Sequence, residues 1–187
     1  MPRGYSAQRS GSTITSDEPA PLDLSDSPDS ALAHLSLAEI EETGGELHRR
    51  IGAALRLIGE ERADTAAPGA RSPRWLVCEL AASIELAAQT LAAAAAGVTG
   101  PTARLDRHAA MVGAVMYAAP TLPALLTRLE QDRRMLASLA RTLEDRIEEP
   151  TDTAWGHRRL RAVLVEAAIA APARCALPLE RIVSLDA

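Results

Sequence analysis

Residues 122–149 read LPALLTRLEQDRRMLASLARTLEDRIEE, and they carry the clearest structural signal in the chain. Leucine recurs there in steps of three and four, which places one apolar seam along a helix. Pro150 follows directly and cannot continue the pattern, because proline lacks the N–H that a helix interior needs. The stretch therefore predicts a long helix that packs lengthwise on its neighbours, as in a coiled coil. Its seam consists of Leu122, Leu125, Leu129, Leu136, Leu139 and Leu143.

An earlier helix is predicted to begin at Ser36. The Ser36 hydroxyl and the Glu39 carboxylate have the spacing of a capping box, which satisfies the first free N–H groups of a helix. An apolar stripe then continues in steps of three and four to about Arg62. Gly44 and Gly45 interrupt it at a cost of about 1 kcal/mol each relative to alanine. Close approach of another backbone would offset this cost, and the alternative is a weak kink.

The second predicted helix opens at Ser72-Pro73, with proline at the first helical position, where its missing N–H does no harm. Gly97 stops it. Leucine, isoleucine, valine and alanine occupy most of its circumference rather than one stripe. A helix that is apolar on most sides predicts a central element surrounded by other helices.

Two more helices complete the predicted set. One covers about 101–120; from 109 to 119 its only polar side-chain group is the Tyr117 hydroxyl, so we expect it to be largely buried. The last begins after Thr153 and ends at Pro172. No segment alternates with period two for long enough to indicate a sheet, and short connectors favour antiparallel neighbours. The predicted fold class is all-α, an antiparallel bundle of about five helices.

The ends of the chain differ in composition from the bundle. Residues 1–34 are rich in serine, proline and aspartate, with two arginines against five acidic residues. Such a stretch cannot bury enough apolar surface to offset its ordering entropy, so it is predicted to be a disordered acidic tail. Residues 35–171 are assigned to the bundle. Residues 172–187 are assigned to a short apolar C-terminal tail or docking helix.

Composition excludes several classes of protein. The net charge is −5, all 20 basic residues are arginine, and lysine, asparagine and phenylalanine are absent, a bias typical of a GC-rich bacterial genome. An acidic chain argues against general nucleic-acid binding. No run reaches about 18 uninterrupted apolar residues, and the N-terminus has no apolar signal-peptide core. We therefore expect a cytoplasmic protein that binds neither nucleic acid nor membrane.

Metal-binding patterns are absent around the histidines. None of the four has an acidic residue three positions before it, and no two histidines are three or four apart. Glu39-x-x-Glu42 and Glu61-x-x-Asp64 resemble the two acidic motifs with which all-α nucleoside-triphosphate pyrophosphohydrolases hold Mg²⁺. The chain departs from that family because Asp64 precedes a loop signature instead of lying within the next helix. We predict no metal and no cofactor.

No catalytic motif is found either. There is no Gly-x-Ser-x-Gly elbow and no glycine-rich phosphate loop. Cys78 lies among apolar residues, where a buried thiol is normally inert. The basic run 157–161 suggests an anion site, but 144–149 is acidic and lies across a short turn. Pairing between these two segments is preferred over phosphate or nucleic-acid binding.

A few polar residues lie on the otherwise apolar helices. Asp132 and Arg133 interrupt the leucine rows of the fourth helix, and a buried charge must be paired, which indicates an internal salt-bridge network. The alternative is a ligand pocket between helices in which Arg133 holds an acid. The candidate ligand-binding residues are Glu79, Glu85, His108 and Arg133.

The preferred function is a helical interaction or regulatory module without catalytic activity. The chain offers more apolar surface than one small bundle can cover, and large uncovered patches mark interfaces. We expect a homo-oligomer that also binds a protein partner. The alternative is a small-molecule binder or enzyme with a polar site in the bundle core. The candidate interface residues are Leu177, Leu179, Ile182, Val183 and Leu185.

Overall fold

The computed structural model describes residue 32 and residues 34–185, and this part of the chain is mostly helical with one small sheet. The predicted disordered tail, residues 1–34, therefore lies almost entirely outside the described residues. Five helices surround one apolar core. The mostly helical prediction is confirmed, whereas the expectation of no sheet is wrong.

Helix α1 spans Leu37–Ile58 and begins with the predicted capping box. The Ser36 hydroxyl accepts a hydrogen bond from the Glu39 backbone N–H at 3.2 Å, and the Glu39 carboxylate accepts one from the Ser36 N–H at 2.7 Å. Burial follows the predicted stripe. The buried residues of α1 are Ile40, Gly44, Leu47, Ile51, Gly52, Ala54, Leu55 and Ile58.

A short 3₁₀ turn, Glu60–Arg62, leads to helix α2, Pro73–Ala95. The Ser72 hydroxyl caps α2 by accepting a hydrogen bond from Trp75 N–H at 3.3 Å. The helix ends just before Gly97, which has the positive φ of 70° that favours glycine. Helix α2 contacts helices on several sides, so its predicted central position is confirmed.

Helix α3 covers only Ala109–Ala118 and does not extend over the predicted 101–120. It packs mainly against α2. Within α3 only Val112 and Val115 are buried. The expectation that this apolar segment is largely buried is therefore wrong, because a single neighbour can cover only one side of a helix.

Helix α4 spans Leu122–Thr142 and ends earlier than the predicted Glu149. The chain tightens there into a 3₁₀ turn, Glu144–Arg146, and the Arg146 N–H bonds to the Leu143 carbonyl at 2.8 Å. Leu143 and Ile147 are both buried across this change. Helix α4 packs on α1 and α2.

The sheet is a two-stranded antiparallel hairpin. Strand β1, Pro150–Thr153, pairs with β2, Gly156–Arg159, in the register Pro150↔Arg159. The Thr153 hydroxyl donates to the Gly156 carbonyl at 2.8 Å and accepts from Trp155 N–H at 3.0 Å. The strands read PTDT and GHRR, without large apolar residues that could alternate with polar ones, which is why the sequence did not reveal them.

Helix α5 runs without a break from Leu160 to Ser184. It consists of an α-helical turn, Leu160–Val165, a π-helical segment, Glu166–Ala170, and a second α-helical part, Ala171–Ser184. The predicted end at Pro172 is wrong. Pro172 lies in the first turn after the π segment, a position where a helix tolerates proline.

The π segment coincides with a close contact between α1 and α5. A Cβ built on Gly44 would lie 2.7 Å from the Ala168 carbonyl oxygen, closer than such atoms can approach. A Cβ built on Gly45 would meet no atom of another described element within 4 Å. Gly44 is therefore required by the approach of another backbone, as expected, whereas Gly45 has no such requirement.

Candidate functional site

Helix α3 presents an uncharged apolar face to solvent. Val112 and Val115 point to the core, and the opposite side carries Tyr117, which is 90% exposed. In the part of the chain that the structure describes, a Cβ built on Gly113 would meet no atom within 4 Å beyond its own helix. We call this surface the α3 face; it comprises Ala109, Ala110, Gly113, Ala114, Tyr117 and Ala118, all exposed.

The predicted C-terminal interface divides into two groups. Leu179 is completely buried in the core of the single chain. Ile182 and Val183 are partly buried and pack against that core. Leu177 and Leu185 are 53% and 86% exposed. Only these two of the five residues are freely available to a partner in this conformation.

The predicted ligand residues on α2 face different neighbours. Glu79 is nearly buried and forms an ion pair with Arg71, which lies in the segment before α2. Glu85 accepts a hydrogen bond from the Arg128 guanidinium of α4 at 2.6 Å. The two carboxylates are thus neutralised separately, on different sides of the helix.

The other two predicted ligand residues lie elsewhere again. The exposed His108 caps α3, its Nδ1 accepting a hydrogen bond from Ala110 N–H at 3.3 Å. Arg133 binds Glu130 through two hydrogen bonds of 2.9 Å, beside a groove between α1 and α4 that His48 also lines. The structure therefore does not bring Glu79, Glu85, His108 and Arg133 together into one pocket.

Asp132 was expected to be paired inside a salt-bridge network, and this expectation is wrong. It is buried, and its Oδ2 has no hydrogen-bond partner in the described part of the chain. Burial raises the pKa of Asp132 to about 6; the Glu85 carboxylate adds to the rise and the Arg128 guanidinium opposes it. Protonation removes the cost of burying this charge at pH values below about 6, and no ion pair to Asp132 is found in the described residues.

The acidic and basic segments around 144–161 do meet. Glu148 forms ion pairs with Arg159, at 3.2 Å, and with Arg161. His157 Nδ1 lies 2.9 Å from the Asp152 carboxylate. The pairing at Glu148 confirms the preferred interpretation of the arginine run, although a β-hairpin and not two helix ends brings the groups together.

The acidic residues that resemble the Mg²⁺ motifs of all-α pyrophosphohydrolases make contacts within the chain. Glu39 belongs to the cap of α1, and Asp64 accepts a hydrogen bond from the buried Arg74 at 2.8 Å. Among the residues that the structure describes, no group of three or more His, Cys, Asp or Glu side chains could hold a metal ion. One residue of each motif is therefore engaged in a contact within the chain.

The two cysteines are unsuited to nucleophilic chemistry. Cys78 and Cys175 are free and buried. Burial raises the pKa of the Cys78 thiol to about 11 and also raises that of Cys175. The thiolate is the reactive form, so both side chains are poor nucleophiles at neutral pH.

Sequence reasoning missed two buried carboxylates, Asp106 and Glu166. The sequence indicated that Glu166 is unusual, since it is the only charged residue in the apolar run 162–171. It gave no such indication for Asp106, because this residue lies in a loop of ordinary polar composition. Both carboxylates lie close to one cleft beside α2.

Searches of the chain against protein-family models, curated proteins and solved structures find no match. Within the described residues, α2 and α5 are long and apolar enough to cross a membrane by length and composition. A third span would result if α3 and α4, which are bent by 107°, were one broken element.

Proposed function

We propose that this protein is a helical interaction module that self-associates through the α3 face, without catalytic activity, in the cytoplasm of a GC-rich bacterium. The observation that supports the proposal is the α3 face, which is uncharged, apolar and exposed. Tyr117 lies near the middle of this face and is 90% exposed. Tyrosine is among the residue types enriched at the cores of protein interfaces.

A second copy of the chain fits this face better than a charged partner. No ionisable group other than the Tyr117 phenol lies between 109 and 119, so two copies can approach without like-charge repulsion. Alanine and glycine dominate the surface, which lets two helix backbones come close. In a two-fold symmetric dimer the same surface patch of both subunits forms the interface. The α3 face suits this arrangement because it carries no charge that would repel its copy.

The proposal includes an antiparallel, coiled-coil-like arrangement of helices and a soluble protein. Helices α2 and α5 have 67% and 61% of their most apolar windows buried by other parts of the chain. The apolar composition of both helices thus has an explanation without lipid. Helix α2 also carries Arg74, Glu79 and Glu85 in ion pairs, groups that are costly in a hydrocarbon environment.

The C-terminal end of α5 is proposed as the contact for a different protein partner. Leu177 and Leu185 are exposed there. Removing the chain after Ala171 is not a clean test, because it would also remove the buried Cys175, Ala176 and Leu179 from the core. Replacing Leu177 and Leu185 by glutamate leaves the core intact and should abolish retention of a specific partner by the tagged protein.

The self-association proposal is tested with Ala114→Glu. This substitution places a charge in the middle of the exposed α3 face, and in a two-fold interface the two glutamates would oppose each other. We expect native mass spectrometry and sedimentation velocity to show a dimer for the wild type and a monomer for the variant. Leu57→Glu is the matched control, since Leu57 is 70% exposed at the end of α1, and it should remain dimeric.

Two results would contradict the proposal. One is a wild-type protein that stays monomeric over the full concentration range of both methods. The other is an Ala114→Glu variant that dimerises like Leu57→Glu, which would place the interface elsewhere. Circular dichroism of both variants confirms that a change in mass reflects association and not unfolding.

A further inference from the structure

A polar cleft of about 250 Å³ lies beside α2, between the loop 96–108 and the second part of α5. It is smaller than the roughly 300–1,000 Å³ of sites that hold drug-sized ligands, which limits an occupant to a small metabolite. Its polar lining consists of Arg71, Glu79, Ser83, Asp106, Arg107 and Arg174.

The buried carboxylate of Asp106 and the nearly buried carboxylate of Glu79 form the inner wall of the cleft. Asp106 accepts hydrogen bonds from the Arg104 guanidinium at 3.1 and 3.3 Å and from the Ser83 hydroxyl at 3.4 Å. Glu79, whose side chain is 13% exposed, is paired with Arg71 through its Oε1. A ligand ammonium group that replaces the Arg71 guanidinium would bind the same oxygen.

Arginines occupy the outer rim. Arg71 is about half exposed, so its guanidinium would be solvated if a ligand cation took its place beside the nearly buried Glu79. Arg174 is engaged with the buried Glu166. Arg107 is exposed and has no hydrogen-bond or ion-pair partner in the described part of the chain. The rim therefore offers one guanidinium that is free to receive an anion.

The backbone beside the cleft is irregular. Glu166 begins the π-helical segment, and Ala171 and Arg174, which line the cleft, follow that segment directly. A π turn inside an α-helix is rare and is found frequently at functional sites. The ion pair between the buried Glu166 and Arg174 spans the bulge and fixes one wall of the cleft.

We propose that this cleft binds a free α-amino acid. Its carboxylate would bind Arg107 at the rim, and its ammonium group would donate to Glu79 Oε1, displacing Arg71. A simple anion would meet Glu79 and Asp106 as repelling charges, and a simple cation would leave Arg107 unpaired and face three guanidinium groups. A small zwitterion matches both signs of charge.

This inference goes beyond the interaction module and is independent of it. The cleft belongs to a single chain and contains no residue of the α3 face. The monomeric variant Ala114→Glu should therefore bind the ligand as well as the wild type does. Failure of either proposal leaves the other untouched.

The probes are the twenty proteinogenic amino acids, tested individually by thermal shift and, where a shift occurs, by isothermal titration calorimetry. We expect at least one to stabilise the full-length protein. Its N-acetyl and carboxamide derivatives, which lack one charge each, should have no effect. Glu79→Gln and Arg107→Gln should each weaken binding by about tenfold or more, since each removes a charge-assisted hydrogen bond.

Matched controls come from an exposed ion pair on another face. Arg49 and Glu46 contact each other on the surface of α1, and Glu46→Gln and Arg49→Gln should bind like the wild type. The proposal is overturned if no amino acid stabilises the protein or if the N-acetyl form binds equally. It is also overturned if Glu79→Gln and Arg107→Gln, folded by circular dichroism, keep wild-type affinity.

Discussion

Helices α2 and α3 are both rich in alanine and aliphatic residues, yet their environments are opposite. Helix α2 has 14 buried residues among 23, whereas α3 has two among ten. Helix α3 has no charged residue, whereas α2 carries Arg74, Glu79 and Glu85. The helix without charges is nevertheless the more exposed of the two. Burial thus depends on how many neighbours surround a helix and not on its hydrophobicity alone.

The difference also separates two uses of apolar surface. On α2 it forms the core, and the charges of that helix are each paired by an arginine or carboxylate from another element. On α3 it is exposed in the described part of the chain, and this is the surface that we propose for self-association. Measurements of stability can test this contrast, and the expected effects differ widely in size.

The largest effect is expected from truncating the core. Ile84 on α2 is completely buried, and Ile84→Ala should lower the free energy of unfolding by about 2–5 kcal/mol. Tyr117→Ala on α3 should change it by less than about 0.5 kcal/mol, since that side chain has little contact with the rest of its own chain. Urea unfolding measures both, in the Ala114→Glu background so that association does not contribute.

If Tyr117→Ala lowered the free energy of unfolding as much as Ile84→Ala, the contrast between a buried α2 and an exposed α3 would be wrong. Such a result would mean that α3 is covered within the single chain. The α3 face would then no longer support self-association.

The next largest effect on stability is expected from the pH dependence of Asp132, a carboxyl on α4. The pKa of Asp132 is raised from 3.8 to about 6 in the folded chain, so the folded state holds its proton more tightly than the unfolded state. Stability should therefore fall as pH rises from about 4 to about 6, by about 3 kcal/mol at most, and then level off. Asp132→Asn should remove this fall and be more stable than the wild type at pH 7.

Glu130, two residues earlier on α4, provides a control of opposite sign. Hydrogen bonds from Arg133 and Arg134 lower its pKa to about 2. Its stabilisation is present above pH 4.5 and is lost as pH falls towards 2, so Glu130→Gln should flatten the acid side of the profile. An Asp132→Asn profile identical to that of the wild type between about pH 4 and 7 would show that Asp132 is solvated.

The smallest effects distinguish a tight helix contact from an open one. Gly44→Ala places a methyl group against the Ala168 carbonyl and should destabilise the protein by about 1–3 kcal/mol. Gly45→Ala and Gly113→Ala meet open space within a helix and should stabilise it by about 0.5–1 kcal/mol. Thermal unfolding of the three variants gives the comparison; equal shifts at Gly44 and Gly45 would exclude the close approach of α1 to α5.

The candidate sites were predictable only in part. The absence of charge over 109–119 is visible in the sequence. It led to an expectation of burial, and it also belonged to the apolar surface that one small bundle was not expected to cover. The structure separates the four candidate ligand residues, because polar residues on apolar helices need not point towards one another. The cleft residues Asp106 and Arg107 come from a loop, where no periodicity indicates direction.

Local interactions account for the features that were predictable from the amino-acid order alone. The starts of α1 and α2 depend on a hydroxyl and a nearby backbone N–H, groups a few residues apart in the chain. The pairing of Glu148 with Arg159 and Arg161 follows from opposite charges brought together by a short connection. Helical character follows from the 3.6-residue spacing of apolar positions.

Contacts between distant segments decided everything else. The exposure of α3, the unpaired burial of Asp132 and the close approach at Gly44 each depend on which helices are neighbours. The π segment of α5 and its passage through Pro172 also lie opposite α1, far away in the chain. Sequence periodicity records which side of a helix is apolar; only the packing of the other helices determines whether that side is covered.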